Sequence, residues 1–277
     1  MSIGEQQRNY HERENALPEQ VHVLNRSWGI LGTQERKKYY AWIEKWYEEL
    51  YQNFLEKKIT EKELQQQTIE WLTTQIETFR AFLLNTKGDL LLYLRDDEKD
   101  FNGGQFDKVG GHIGLSTLDT VIKQEIRQEI DLTPELVSRS EFKGLIANNE
   151  VTKKDLERTA FLRPEEYINN FISWRRRNKD NLLIPCLQKT TILFWYTNAS
   201  LPLGSDGENQ GVILRSKEKL QARMEKYPDL FTWDMHELGN RYYDKFVSLD
   251  KFMDDSDKSF TNFTLPIGEN DPFNKKA

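Results

Sequence analysis

Between Gly103 and Leu132 the chain reads GGQFDKVGGHIGLSTLDTVIKQEIRQEIDL, and this stretch limits the fold more than any other. Gly103, Gly104, Gly110, Gly111 and Gly114 open it as a glycine-rich loop, and a helix follows. At about 100° per residue from Thr117, the side chains of Leu118, Val121, Ile122, Ile126 and Ile130 share one broad apolar arc. Glu125 and Glu129 fall inside that arc, one turn apart, whereas Lys123, Gln124, Arg127 and Asp131 lie outside it. A solvated helix carries its carboxylates on the far side, so two of them on the buried side need a partner. A Lys or Arg, water at the edge of the arc, or a hard divalent cation would each serve. Mg²⁺ accepts one or two carboxylates and keeps several waters that a phosphate replaces. The helix by itself leaves these alternatives open.

With 277 residues the chain holds one large domain or two small ones. A net charge of -6 argues against a general nucleic-acid or membrane-surface role, which needs a basic face. A nucleotide substrate stays compatible with it, because a metal supplies positive charge locally. The lone cysteine, Cys186, sits in the apolar run LLIPCL and is expected to be buried. It forms no intrachain disulfide, which fits a reducing cytosol. No apolar run approaches membrane-spanning length and the N-terminus is too polar for a secretory signal, so a cytoplasmic protein is expected.

Residues 1–20 read as a flexible lead-in and 21–77 as a helical extension. Within the extension, Tyr39, Ile43, Trp46, Tyr47, Leu50 and Phe54 step at helical spacing. Thr60 and Glu63 form a capping box for a second helix carried by Leu64, Ile69, Leu72 and Ile76. The aromatics suit a packing stripe, with a ligand platform or a homodimer face as the other uses. At Thr78 the period changes: FRAFLLN and LLLYLRD are strand-like and TKGD joins them as a hairpin. Further on, 137–149 is expected to supply a strand and 152–180 a helix that ends in Arg175, Arg176, Arg177 and Lys179. Those cations suit a helix C-terminus, or an anionic partner. Residues 182–198 read as a central strand, 235–253 as a closing helix and 254–277 as a loose tail.

Taken in this order, 78–132 resembles the start of a Nudix domain: strand, Gly-containing turn, second strand ending in Arg95, variable loop, glycine loop, box helix. In that likeness Gly110 is the lead glycine, Glu125 and Glu129 are metal-binding glutamates, and Leu132 is the closing aliphatic. The box is degraded. Ser116 stands where the first Glu belongs, Gln124 replaces the Arg, Gln128 replaces one of a Glu pair, and Asp131 replaces the last Gly. Residues 203–235 resemble the late part of such domains and put Glu208 where many members carry a further glutamate, although a loop acid beside Gly207 is as natural. The isopentenyl diphosphate isomerase branch shares the Gly-His wording but uses a cysteine near the loop, where this chain has Gly110 and Gly111.

The resemblance implies an α/β fold over 78–253, a Nudix-like α/β/α sandwich with a mixed sheet, preceded by the N-terminal helical extension. It implies Mg²⁺ or Mn²⁺ held by Glu125 and Glu129, with Gln128 offering a neutral oxygen. Glu129, Glu125 and Glu208 become the catalytic set. Gly110, Gly111, His112 and Arg95 become the substrate-binding set, with Lys108 beside them. The implied activity is hydrolysis of a nucleoside diphosphate linked to another moiety. The substitutions at Ser116, Gln124 and Gln128 equally suit a non-catalytic module that senses a nucleotide or binds a partner.

Overall fold

The structure, a computed structural model, describes residues 19–130, 139–148, 150, 161–162, 166–197, 209–254 and 263–264. Everything is arranged about β3 (Thr74–Leu84, TQIETFRAFLL), which begins at Thr74 instead of Thr78. One edge of β3 runs parallel to β9 (Leu183–Tyr196) throughout, with Ile76 opposite Gln188 and Leu84 opposite Tyr196. The other edge is passed between three partners. β1 (Gln20–Asn25) pairs at Thr74 and Gln75, β6 (Val109–His112) at Thr78 to Ala81, and β4 (Leu90–Arg95) at Leu83 and Leu84. The β3–β4 turn needs its glycine: Gly88 has φ +88, and a Cβ there would stand 2.6 Å from the backbone of Val247. β8 (Glu166–Arg176) lies antiparallel to β9, and β10 (Asn209–Arg215) antiparallel to β4, which makes the sheet mixed. Short strands complete it: β5 (Phe106–Asp107) on β4, β7 (Phe161–Leu162) on β9, and β11 (Phe263–Thr264), within the stretch expected to be a loose tail, parallel to β8.

Alternation along β3 sends its side chains to two cores. Phe79, Ala81 and Leu83 join Leu193, Trp195 and Val109 under α3 (Leu118–Ile130), whose Val121, Ile122 and Ile126 close that face. Phe82 and Leu84 join Ile192, Phe194 and Tyr196 on the other. There α5 (Lys217–Lys226), α6 (Trp233–Arg241) and α7 (Leu249–Asp254) bury Leu220, Met224, Met235, Leu238 and Phe252. Each such apolar side chain contributes about 1.5–3 kcal/mol by leaving water. Helices therefore cover both faces of a mixed sheet. No helix among the described residues is long and apolar enough to cross a membrane.

The stretch expected to be a helical extension opens as a hairpin, β1 and β2 (Ile30–Glu35), and β1 continues onto the edge of β3. Val21 and Leu24 are its buried residues. Only then come α1 (Arg36–Leu55) and α2 (Glu61–Trp71), and the expected capping box of Thr60 and Glu63 is formed. Ile76 belongs to β3, not to α2. α1 buries Tyr39, Ile43, Tyr47 and Leu50 in a third core with Trp174, Ile184 and Leu187. Trp46 stacks flat on Trp71 at 3.6 Å between centroids, so these aromatics pack helix on helix.

Three expectations are corrected. Residues 139–147 form a helix, α4 (Arg139–Ala147), instead of a strand; Phe142, its buried anchor, and half-buried Leu145 have the helical i, i+3 spacing. Residues 166–176 form strand β8 where a helix was expected. A bulge between Ile168 and Phe171, with Asn170 at φ +57, inserts one extra residue into the strand and turns its alternation into apparent helical spacing. The closing helix is broken after Arg241 because Tyr242 and Phe246 both turn into the core, and α7 restarts with Ser248 Oγ accepting from Lys251 N at 3.3 Å. Expectations for 1–18, 131–138, 149, 152–160, 163–165, 198, 203–208, 255–262 and 265–277 fall outside the described residues.

Candidate functional site

β6 carries the two glycines on opposite sides of the sheet. A Cβ on Gly111 would stand 2.9 Å from both Cγ and Cδ of Glu125 and 3.1 Å from the Phe79 ring. A Cβ on Gly110 would stand 2.8 Å from the Phe79 carbonyl oxygen and 2.9 Å from Arg80 Cδ. Space, not a left-handed backbone, demands glycine at both positions. Glu125 is half-buried on α3 between buried Ile122 and Ile126, and its side chain lies against the strand backbone at Gly111. The apolar arc read from the sequence thus carries an acid to the glycine loop. Gln128 and Glu129 lie on α3 by their backbone, but their side chains and Glu208 fall outside the described residues. Ser116 and Gln124 are exposed.

Gly110 and His112 face the other side, and there a connected polar cluster fills the space between the sheet, α1 and α6. Arg80 on β3 pairs with Asp234 on α6 at 3.2 Å and donates to Gln188 Oε1 at 3.1 Å. Ser173 Oγ donates to the same Asp234 oxygen at 2.9 Å, and Thr78 Oγ1 lies 3.0 Å from Thr190 Oγ1. Burial opposes the charge on Arg80, and the carboxylates of Asp234 and Asp107 more than offset it. Asp107 accepts from Thr232 Oγ1 at 2.9 Å and lies 3.3 Å from Lys108 Nζ and 3.8 Å from Arg95 Nη1. Burial pushes the Asp107 carboxyl up, but Lys108, Arg95 and Arg80 together hold it below its ordinary value. Lys108 is wholly buried, and desolvation pulls its ammonium below the usual lysine range against the attraction of Asp107.

His112 is enclosed by α1: Arg36 Nη1 is 3.0 Å from Nδ1 and Tyr40 Oη is 2.6 Å from Nε2. A guanidinium only donates, so Nδ1 accepts and the ring proton sits on Nε2, which donates to Tyr40. The imidazole is neutral, held well below its ordinary value by burial and then by Arg36, Arg80 and Arg175. Tyr40 Oη also accepts from Gln188 Nε2 at 3.4 Å. Cys186 is buried beneath these groups, its thiol pushed up to about 11 by burial, and is inert as a nucleophile.

Of the residues named from the sequence, the structure brings Glu125 to Gly111, and places Gly110, His112, Lys108 and Arg95 with the cluster across the sheet. Sequence reasoning missed Arg36, Tyr40, Arg80, Gln188 and Asp234. A signal was present. Thr78 and Arg80 interrupt one face of an apolar strand, and QKTT interrupts the apolar run of β9. Arg177, expected at a helix end, lies instead just beyond β8 and joins it to α1 through Glu44 at 2.6 Å and Glu48 at 2.8 Å, and to Asp180. Among the described residues no three His, Cys, Asp or Glu converge as a metal cage.

No family model and no curated protein matches the sequence. Solved structures do. DR0079 from Deinococcus radiodurans aligns at 16% identity over 80% of this chain and 98% of that one, with a TM-score of 0.48. The MutT protein from Methanosarcina mazei Go1 aligns at 16% identity over 62% and 94%, with a TM-score of 0.40. The Nudix domain of Shewanella oneidensis NrtR, complexed with ADP ribose, aligns at 11% identity over 64% and 92%, with a TM-score of 0.39. The chain is similar in structure to Nudix proteins across a wide gap in sequence.

Proposed function

We propose that this chain is a metal-dependent hydrolase of a nucleoside diphosphate linked to another moiety, of Nudix type. The observation that supports it is the seat of Glu125. A half-buried carboxylate on the apolar side of α3 rests on a glycine where any side chain would displace it. In this proposal Glu125 and Glu129 hold Mg²⁺ or Mn²⁺, Gln128 lends a neutral oxygen, and Glu208 serves as a third acid, ligand or base. Such hard oxygen donors suit these ions. When bound, the ion supplies positive charge at the diphosphate and an acidified water. The backbone of Gly111 gives the diphosphate a close approach, and His112, fixed by Arg36 and Tyr40, holds the strand that carries it. Water adds to one phosphorus, the bond from that phosphorus to the bridging oxygen breaks, and the two monophosphates leave.

The test is product release from a panel of nucleotide sugars, dinucleotides and nucleoside triphosphates with Mg²⁺ or Mn²⁺. Turnover is expected to require the metal and to fall at least about 10–100-fold in Glu125→Gln and in Glu129→Gln. No turnover on any member, or turnover untouched by both substitutions, counts against the proposal. A non-catalytic nucleotide-sensing module is the second reading. It draws on the exposure of Gln124, where the resembled family has an Arg to orient the glutamate. Thermal stabilisation by nucleotide without turnover would favour it.

A further inference from the structure

The polar cluster across the sheet from Glu125 carries more positive than negative charge. Arg36, Arg80, Arg95, Lys108 and Arg175 stand against Glu19, Asp107 and Asp234 among the described residues. Four of the five cations have a carboxylate beside them: Arg36 has Glu19 at 2.9 Å, Arg80 has Asp234, and Arg95 and Lys108 share Asp107. Arg175 is different. Its guanidinium carbon lies 4.2 Å from the centroid of the Tyr40 ring and 4.2 Å from that of Phe101, so aromatic rings hold it from two elements. Among the described residues it has no ion-pair partner, and it keeps some contact with solvent.

The sandwich is built by the fold. Register puts Arg175 opposite Ile184, on the same side of the sheet as Ser173 and Gln188. Phe101 is brought over it by the loop after β4, which is tied to the end of β8. Asn102 N donates to the Arg176 carbonyl at 2.8 Å, and Arg176 Nη2 donates to the Gly103 carbonyl at 3.0 Å. Tyr40 comes from the first turns of α1. Burial, and then Arg95 and Arg36, depress the basicity of Arg175. Arg36 reaches the same His112 ring that Tyr40 touches, so it stands beside the clamp. Aromatic faces steady a guanidinium but leave its N–H edge unsatisfied. That edge matches two oxygens of one phosphate.

We propose that Arg175, clamped between Tyr40 and Phe101 with Arg36 beside it on the first turns of α1, is the core of a phosphate-binding site that works without a metal. It lies on the opposite side of the sheet from Glu125, so it stands whether or not the chain is a hydrolase. The ligand is a small phosphate-bearing anion, read through its phosphate oxygens, and its affinity falls as salt rises.

The experiment is isothermal titration of the full chain with inorganic pyrophosphate in EDTA, which removes any divalent-metal route. Wild type is expected to bind, more weakly in higher salt, and Arg175→Gln to bind at least about 10-fold less tightly through loss of a charge-assisted fork. Absence of binding in wild type, or equal binding by folded Arg175→Gln, overturns the site. Should Arg175→Gln fail to fold, Phe101→Leu removes one ring and keeps the charge. Weakened binding then supports the site, and unchanged binding overturns it.

Discussion

Glu125 presses its carboxyl carbon to within 2.9 Å of where Gly111 would carry a Cβ. The relationship joins an acid on the buried side of a helix to the glycine it needs, and it separates two neighbouring glycines by purpose. Gly111→Ala forces Glu125 and the Phe79 ring aside, both side chains. Gly110→Ala meets the Phe79 carbonyl, which moves only with the strand. Overpacking of this kind costs about 1–3 kcal/mol. Urea denaturation is expected to show the larger loss for Gly110→Ala. Metal-dependent turnover, set against each variant's folded fraction, is expected to suffer more in Gly111→Ala.

Arg80 and Asp234 form a pair at 3.2 Å with side chains 13% and 9% exposed. Removing one partner of a buried pair strands the other, at a cost of about 3–5 kcal/mol. Asp234→Ala and Arg80→Ala should each lower the urea midpoint sharply. The double variant Arg80→Ala with Asp234→Ala should lose less than the two single losses added together. Simple additivity would show that the two groups do not interact.

The neutral His112 makes stability depend on pH. Its folded pKa is depressed below the ordinary value, so the unfolded chain takes up the proton first. The stabilisation is complete above about pH 6.5 and is lost as pH falls from there toward the folded value, with a limiting slope of about 1.4 kcal/mol per pH unit for one proton. Urea midpoints measured from pH 7.5 to 5.5 should fall in wild type and flatten in His112→Gln, which still offers an acceptor to Arg36 and a donor to Tyr40. An equal decline in both proteins would assign the proton elsewhere.

Local signals carried much of the fold. The Thr60–Glu63 box, the β3–β4 hairpin and the arc of α3 each depend on residues a few positions apart, and each is formed. β8 was misread because its bulge at Asn170 mimics helical periodicity, and the break after Arg241 because burying Tyr242 and Phe246 is a tertiary demand. The acid on the buried side of α3 was legible from angle alone. Tyr40 with His112 and Arg80 with Asp234 were not, since 72 and 154 positions separate them and only the folded sheet brings them together.

A titration of Mn²⁺ followed by the electron paramagnetic resonance signal of the free ion tests the role of Glu125 most directly. Wild type is expected to take up Mn²⁺, and Glu125→Gln, with its fold checked by circular dichroism, to bind at least about 10-fold more weakly. Equal uptake by the two proteins, or none by wild type, would contradict a metal-holding carboxylate at Gly111.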